Sequence, residues 1–292
     1  MVTQLFINGL FSAGLYLFIG TGFFLFIKTT RFFNITFGIL ITTGAYFSYF
    51  FQYGGGLSIF SAIIFGILVS TLLGCVIQFL IFKKLSAINA SGAIKMMSSL
   101  GIYIVLQNLL SLYFGDETKR IFLAIDILQI NIWFIHITII QLITLIMGII
   151  IWLSVLFFLM KTKIGTAIRA VACEANLSEI CGISKVNIDF YTTLMGSAIA
   201  SIAGILIACD VGMNPTMGMN MVLVAFVVVI IGGFENIYGV VLGSILVGMA
   251  QHLSLYFLNA QWQDTIVFII LMAFLIAKPE GFLGKKSRKA VA

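Results

Sequence analysis

Long apolar segments dominate the chain and are separated by short polar stretches. Crossing about 30 Å of hydrocarbon takes around 20 helical residues, and the runs are continuously apolar, unlike the alternating strands of a membrane barrel. The pattern therefore predicts an all-α fold, a polytopic transmembrane helical bundle of about 8–10 spans, with 1–292 as a single domain. We place the spans at 5–27, 33–51, 57–82, 96–114, 131–160, 190–209, 219–233, 237–258 and 262–277.

The run at 219–233 is the shortest of these and follows the helix breaker Asn214-Pro215. Proline lacks the backbone donor that a helix interior needs. Two interpretations stay open at this point: 219–233 is either a full crossing or a re-entrant element.

Composition agrees with a membrane protein. The chain is 61% hydrophobic and only 9% charged, whereas roughly a quarter of the residues in a soluble domain are charged. The net charge is +6, but the basic residues are spread over four loops and form no single patch with interleaved aromatic residues. A nucleic-acid-binding protein is therefore not indicated.

The basic residues predict the orientation, because short cytoplasmic loops accumulate lysine and arginine. With nine spans, all of the 16 lysines and arginines except Lys119 and Arg120 fall on one side. We therefore expect a multi-pass protein with its N-terminus outside and its C-terminus in the cytoplasm.

The longest polar loop, 164–183, carries an amphipathic pattern. Apolar or small residues recur at roughly helical spacing, and Gly182 stands where a helix would end. Such a helix either lies on lipid headgroups or docks into a cytoplasmic partner; two glutamates and many alanines favour docking. The apolar or small positions are Ile168, Val171, Ala172, Ala175, Leu177, Ile180 and Ile183.

Small residues also recur inside the predicted span 190–209. Gly196, Ala200 and Gly204 stand four residues apart and share one helix face. Small residues let helix backbones approach closely in lipid, where van der Waals packing drives association. This face predicts a helix–helix contact.

Catalytic and metal-binding patterns are missing from the sequence. His136 and His252 are isolated on different spans, and the chain has no phosphate-binding loop and no nucleophile–base arrangement. The four cysteines lack metal-ligand spacing. We therefore expect no enzyme activity, no cofactor and no metal, and a conduit whose energy comes from elsewhere.

Uncharged polar residues inside the predicted spans are candidates for lining a pathway. They either border a water-filled route for a zwitterion or hydrogen-bond between helices. They are Thr21, Thr42, Thr43, Gln78, Gln107, Asn108 and Gln251.

Several segments, in order along the chain, resemble the LivH-like permeases of branched-chain amino acid ABC importers. NGLFSAGLYLFIGTG (8–22) resembles the opening helix of that family, and FFNITFG (32–38) its asparagine-containing turn. IGTAIRAVACEANLSEICGI (164–183) resembles its cytoplasmic loop, and VIIGGFENIYGVVLGSILVGMAQ (229–251) a later pair of spans. The chain departs from the family at Ile35–Gly38, where Phe-Ala-His-Gly is common, and at Glu235, where glycine is usual.

The resemblance implies an importer subunit in the bacterial inner membrane, forming the translocation pathway for branched-chain or related amino acids. Its implied partners are two cytoplasmic ATP-binding subunits, a second, LivM-like permease and a periplasmic substrate-binding protein. It places the ATPase contact at Arg169, Glu174, Glu179 and Gly182 and adds Asn34 to the candidate pathway residues. The alternatives are a urea or short-chain amide importer permease and a stand-alone carrier or channel.

Overall fold

The computed structural model describes residues 2–122, 129–132, 135–278 and 280–284. Two π-helical turns extend or join helices: Phe50–Gly54 follows α2, and Gln78–Phe82 links α3 to α4. The α-helices are α1 (Val2–Thr30), α2 (Thr36–Tyr49), α3 (Ile59–Ile77), α4 (Lys83–Ala87), α5 (Gly92–Phe114), α6 (Ile139–Lys161), α7 (Lys163–Cys173), α8 (Ala175–Ile180), α9 (Lys185–Asp210), α10 (Met217–Gly232), α11 (Ile237–Ser254) and α12 (Gln263–Ala277).

This architecture confirms the predicted all-α bundle, because each predicted span overlaps a helix over most of its length. Within the described residues, six helices are long and apolar enough to cross a membrane: α1, the continuous α3–α4 unit, α5, α6, α9 and α11. Helices α10 and α12 are equally apolar but shorter.

The predicted span 131–160 begins too early. Its first residues belong to an antiparallel hairpin in which β1 (Gln129–Ile132) pairs with β2 (Ile135–Thr138). Isoleucine alternates with polar residues here, and this period of two favours a strand. Helix α6 starts only at Ile139, where the Thr138 backbone N–H donates to Gln141 Oε1 at 3.4 Å.

The core lies among α1, α2, α9 and α10. Helix α1 packs against α6, α9, α10 and α11, and α2 packs against α3, α9 and α10. The outer helices keep most of their surface exposed, and large apolar residues such as Leu72 and Leu112 face outward. An apolar exterior of this extent fits a membrane protein, whose surrounding solvent is lipid.

The small-residue face of α9 is a helix contact, as predicted. Ala200 is fully buried, and a Cβ added at Gly204 would collide with the Ile41 carbonyl of α2. A Cβ at Gly196 would collide with the Phe26 ring of α1. The face therefore sets how closely α9 approaches two core helices.

Helix α10 forms most of the segment 219–233, and its two ends are held by contacts with different parts of the chain. Before α10, Met213 exchanges two backbone hydrogen bonds with Lys119, of 2.9 and 2.7 Å. At its far end, the Ile231 carbonyl accepts from the Phe282 N–H at 2.8 Å. Most residues of α10 are buried, and its 16 residues are fewer than those of the six longer helices.

Candidate translocation and coupling sites

Helix α7 is fixed at one end of the bundle. The Thr162 hydroxyl accepts from the Gly165 N–H at 2.9 Å and caps its first turn. Its buried side, with Ile168 and Val171, packs against α1, α6 and α9. At its other end Arg31 donates to the carbonyls of Ala172 and Cys173, at 2.5 and 2.8 Å. Helix α7 therefore moves with the membrane helices.

The predicted amphipathic helix over 164–183 is wrong at Glu174. This residue has an extended backbone, with φ −149° and ψ 106°, and separates α7 from α8. After the break, the apolar side chains no longer face the bundle as those of α7 do. Leu177 is 61% exposed and Ile180 is 82% exposed. Helix α8 therefore presents apolar side chains away from the bundle.

Gly182 ends α8, as predicted. Its φ of +83° lies in the left-handed region that glycine adopts easily. The Gly182 N–H donates to the Glu179 carbonyl at 3.0 Å, and the Ile183 N–H donates to the Ser178 carbonyl at 2.9 Å. This turn closes the helix and leads the chain into α9.

The predicted coupling residues share one end of the bundle and are all exposed: Arg169, Glu174, Glu179 and Gly182. Arg169 borders a cavity of about 950 Å³ together with Lys28, Arg31 and Glu235. Lys28 Nζ donates to the Glu235 carbonyl at 2.8 Å, so the turn between α10 and α11 is tied to the end of α1 beside this cavity.

Three of the predicted pathway residues are buried threonines that bond within their own helices. Thr21 donates to the Leu17 carbonyl at 2.6 Å, and Thr42 donates to the Gly38 carbonyl at 2.9 Å. Thr43 Oγ1 donates to the Leu40 carbonyl and also contacts Ser70 Oγ at 3.3 Å, which links α2 to α3. Thr43 also borders an apolar cavity of about 410 Å³ between α2, α3 and α5.

Asn34 shapes the turn before α2. Its Oδ1 accepts from the Thr36 backbone N–H at 3.1 Å and from the Thr36 hydroxyl at 2.6 Å. The Ile35 N–H donates to Ser99 Oγ at 3.1 Å, which ties the same turn to α5. Asn34 Nδ2 is buried and lacks a hydrogen-bond partner among the described residues.

The remaining pathway candidates lie far apart. Gln251 accepts from the Tyr16 hydroxyl and donates to Asp264 Oδ1 at 3.3 Å, which connects α1, α11 and α12. Gln78 is buried beside a cavity at the end that carries α7 and α8. Asn108 is exposed on α5 and donates to the Ile104 carbonyl at 2.7 Å. Within this chain, the predicted residues therefore do not converge on one channel.

Comparison with known proteins shows the family. The model of the family described as "Branched-chain amino acid transport system / permease component" matches residues 5–275. The LivH permease of Escherichia coli K12 is 28% identical over 206 residues, 68% of this chain and 66% of that protein. The BraD permease of Pseudomonas aeruginosa is 27% identical over 227 residues, 75% of this chain and 72% of that protein.

The match thus spans just under two thirds of the length of that LivH protein. Among solved structures, PsaBC from Streptococcus pneumoniae in complex with Fab superposes with a TM-score of 0.50. The superposition covers 99% of this chain and 98% of that one at 16% identity, and it supports the fold alone. Because the family model covers nearly the whole chain, this protein belongs to the permease components of branched-chain amino acid transport systems.

Proposed function

We propose that this chain is the permease subunit of an ABC importer and forms the translocation pathway for branched-chain or related amino acids across a bacterial inner membrane. ATP hydrolysis takes place on two separate cytoplasmic subunits. A second, LivM-like permease and a periplasmic substrate-binding protein complete the transporter. The observation that carries the proposal, beside the family match, is the exposed apolar pair on α8.

Helix α8 has the properties of a coupling element. Its exposed Leu177 and Ile180 stand three residues apart on one side of a helix outside the bundle, and we assign this apolar pair to a contact with the ATPase subunits. Helix α7 contacts α8 and also packs against α1, α6 and α9. A displacement of α8 would therefore be transmitted to these three helices. We assign Arg169, Glu174, Glu179 and Gly182 to the rim of the ATPase contact.

The cytoplasmic side is assigned by charge. Lys28, Arg31 and Arg169 border one cavity at the end that carries α7 and α8, and Lys83, Lys95 and Lys185 border a second cavity at the same end. Lys119 and Arg120 lie at the opposite end, where Arg120 donates to the Cys209 and Asp210 carbonyls. By the positive-inside rule, this distribution supports a cytoplasmic location for α7 and α8 and an N-terminus outside.

The pathway is assigned to the exposed face of α5, against the second permease. Among the helices, α5 packs mainly on α2 and leaves Met97, Val105 and Leu112 more than half exposed. Asn108 lies on the same exposed helix, and an amide facing lipid is costly, whereas one facing a subunit interface or water is not. Thr43 and the other buried polar residues would hold this wall in place.

Cysteine labelling tests the orientation. In a background without the native cysteines, Glu117→Cys and Lys163→Cys introduce exposed thiols at opposite ends of the bundle. We expect an impermeant maleimide added to intact cells or spheroplasts to label Glu117→Cys at least tenfold more than Lys163→Cys, because only the former faces outward. Permeabilised membranes serve as the control and should label both variants. Stronger labelling of Lys163→Cys from outside would reverse the proposed orientation.

A further inference from the structure

A second feature of the cytoplasmic end is a cavity of about 480 Å³ between α8, the start of α9 and the segment that joins α4 to α5. Charges of both signs border it. Lys83, Lys95 and Lys185 contribute ammonium groups, and Glu179 and Asp189 contribute carboxylates. The cavity is therefore neither an anion site nor a cation site by composition.

Two acceptors beside this cavity lack partners. Asp189 is 5% exposed, and Thr29 hydrogen-bonds to its carboxylate, but its Oδ1 has no hydrogen-bond partner among the described residues. Gln78 is 6% exposed, and its Oε1 also has no hydrogen-bond partner among the described residues. Buried acceptors without donors are unfavourable. Because both residues line the cavity, an occupant that carries N–H donors would lie beside these acceptors.

The positive groups lie close enough to act on the same occupant. Lys95 and Lys185 both interact electrostatically with Asp189. Lys95 Nζ donates to Ser86 Oγ at 3.1 Å, which fixes its head group at the cavity edge. Ammonium groups that face a shared space attract a carboxylate.

The rest of the wall combines the polar residues Ser86, Asn89 and Asn176 with small apolar side chains: Ala87, Ala90, Ala175 and Val186. An aliphatic side chain of a ligand would gain contact there without displacing bulky residues. An anion without a positive group would be repelled by the two carboxylates, and a cation without a negative group would be repelled by the three lysines. A zwitterion with an aliphatic side chain satisfies all three parts of the wall.

We propose that this cavity binds a free aliphatic α-amino acid from the cytoplasm, with its ammonium group toward Asp189 and Gln78 and its carboxylate toward Lys95 and Lys185. The sidedness of this site rests on the proposed function. The ligand is then the product of import, and the site lies on the product side of the membrane.

The position of the site makes it regulatory. Glu179 borders the cavity from α8, the helix that exposes Leu177 and Ile180 to the ATPases. A bound amino acid bridges α8 to α5 and α9 and opposes the movement that ATP hydrolysis drives. Occupancy and coupling are therefore linked, and accumulated product slows its own import.

Binding to the full chain in phosphatidylcholine nanodiscs tests the site directly. We expect L-leucine to bind the wild-type chain, and the double variant Lys95→Met/Lys185→Met to raise its Kd at least tenfold. Lys84→Met is the matched control, because it removes an exposed lysine of the same segment that does not border the cavity. It should bind like wild type. The one-charge analogues 3-methylbutylamine and 4-methylpentanoate should each bind at least tenfold more weakly than leucine.

Several results would overturn the site. They are no leucine binding to the wild-type chain, an unchanged Kd in the double variant, or equal binding of a one-charge analogue. Loss of leucine binding in nanodiscs that contain phosphatidylglycerol would show that an anionic lipid headgroup occupies the cavity, and it would overturn the proposal as well.

Uptake by the assembled transporter tests the regulatory role. Preloading proteoliposomes with leucine should lower the initial rate of labelled isoleucine uptake at least threefold for wild type and for Lys84→Met. The double variant should take up isoleucine equally into loaded and empty vesicles. An equal decline in the double variant would reject the regulatory role. Leucine binding to the isolated chain without any uptake into empty vesicles would instead reject the proposed function, so the two failures are distinguishable.

Discussion

The variant Ile180→Asp is expected to insert and fold normally but to co-purify with its ATPase subunits at least tenfold less than wild type. Ile180 is the most exposed apolar residue of α8, so the free chain loses little packing when it changes. In the complex, the new carboxylate would be buried in an apolar pocket of the ATPase subunit. Burying an unpaired charge is unfavourable and weakens the association. Central apolar anchors of an interface commonly contribute more than about 2 kcal/mol, which corresponds to more than tenfold in affinity.

Two further variants make this result specific. Ile88→Asp places the same charge on another highly exposed isoleucine at the same end but outside α8, and it should leave ATPase association unchanged. Ile180→Leu keeps an apolar anchor and should retain association within about threefold. Co-purification and ATP-driven uptake at wild-type levels in Ile180→Asp would remove α8 from the coupling interface.

Replacing Gly239 with leucine is expected to abolish the folded chain. Gly239 of α11 and Gly232 of α10 approach so closely that a Cβ on either would coincide with backbone atoms of the other. Backbone cannot rotate away as a flexible side chain can, so α10 and α11 must separate. Overpacking in a core typically costs about 1–3 kcal/mol, and a backbone-to-backbone clash at this close helix contact lies beyond that range.

The readout is the monodisperse fraction after detergent extraction, which we expect to fall at least tenfold for Gly239→Leu. Gly101→Leu is the matched control, because no atom lies within 4 Å of a Cβ added at that position of α5. It should extract like wild type. A monodisperse Gly239→Leu chain with an unchanged melting temperature would contradict the α10–α11 contact.

Much of this fold was predictable because apolar runs long enough to span lipid leave the backbone little choice but helix. The errors occur where that constraint ends. Residues 129–132 and 135–138 are apolar enough to continue the following span, and only their alternating isoleucines indicate strands. The break at Glu174 was also hidden, because a helical spacing of apolar residues continues across it.

The site was harder to predict than the fold because polar residues inside spans have two uses. Composition does not separate Gln251, which joins three helices through Tyr16 and Asp264, from Asn108, which lies exposed on α5. Only the packing of neighbouring helices distinguishes them. The cavity beside α8 was likewise invisible in the sequence, since its lysines and carboxylates come from segments that are distant along the chain.

The most direct test of the central claim is leucine uptake by proteoliposomes that contain this chain, its partner permease and both ATPases. We predict leucine uptake against a concentration gradient. This uptake should require ATP on the side of the membrane that carries the ATPases and the binding protein on the other side, and it should disappear when this chain is omitted. Downhill uptake of leucine by this chain alone, without ATP, would contradict the claim and identify a stand-alone carrier. Transport of urea in place of any branched-chain amino acid would contradict the proposed substrate.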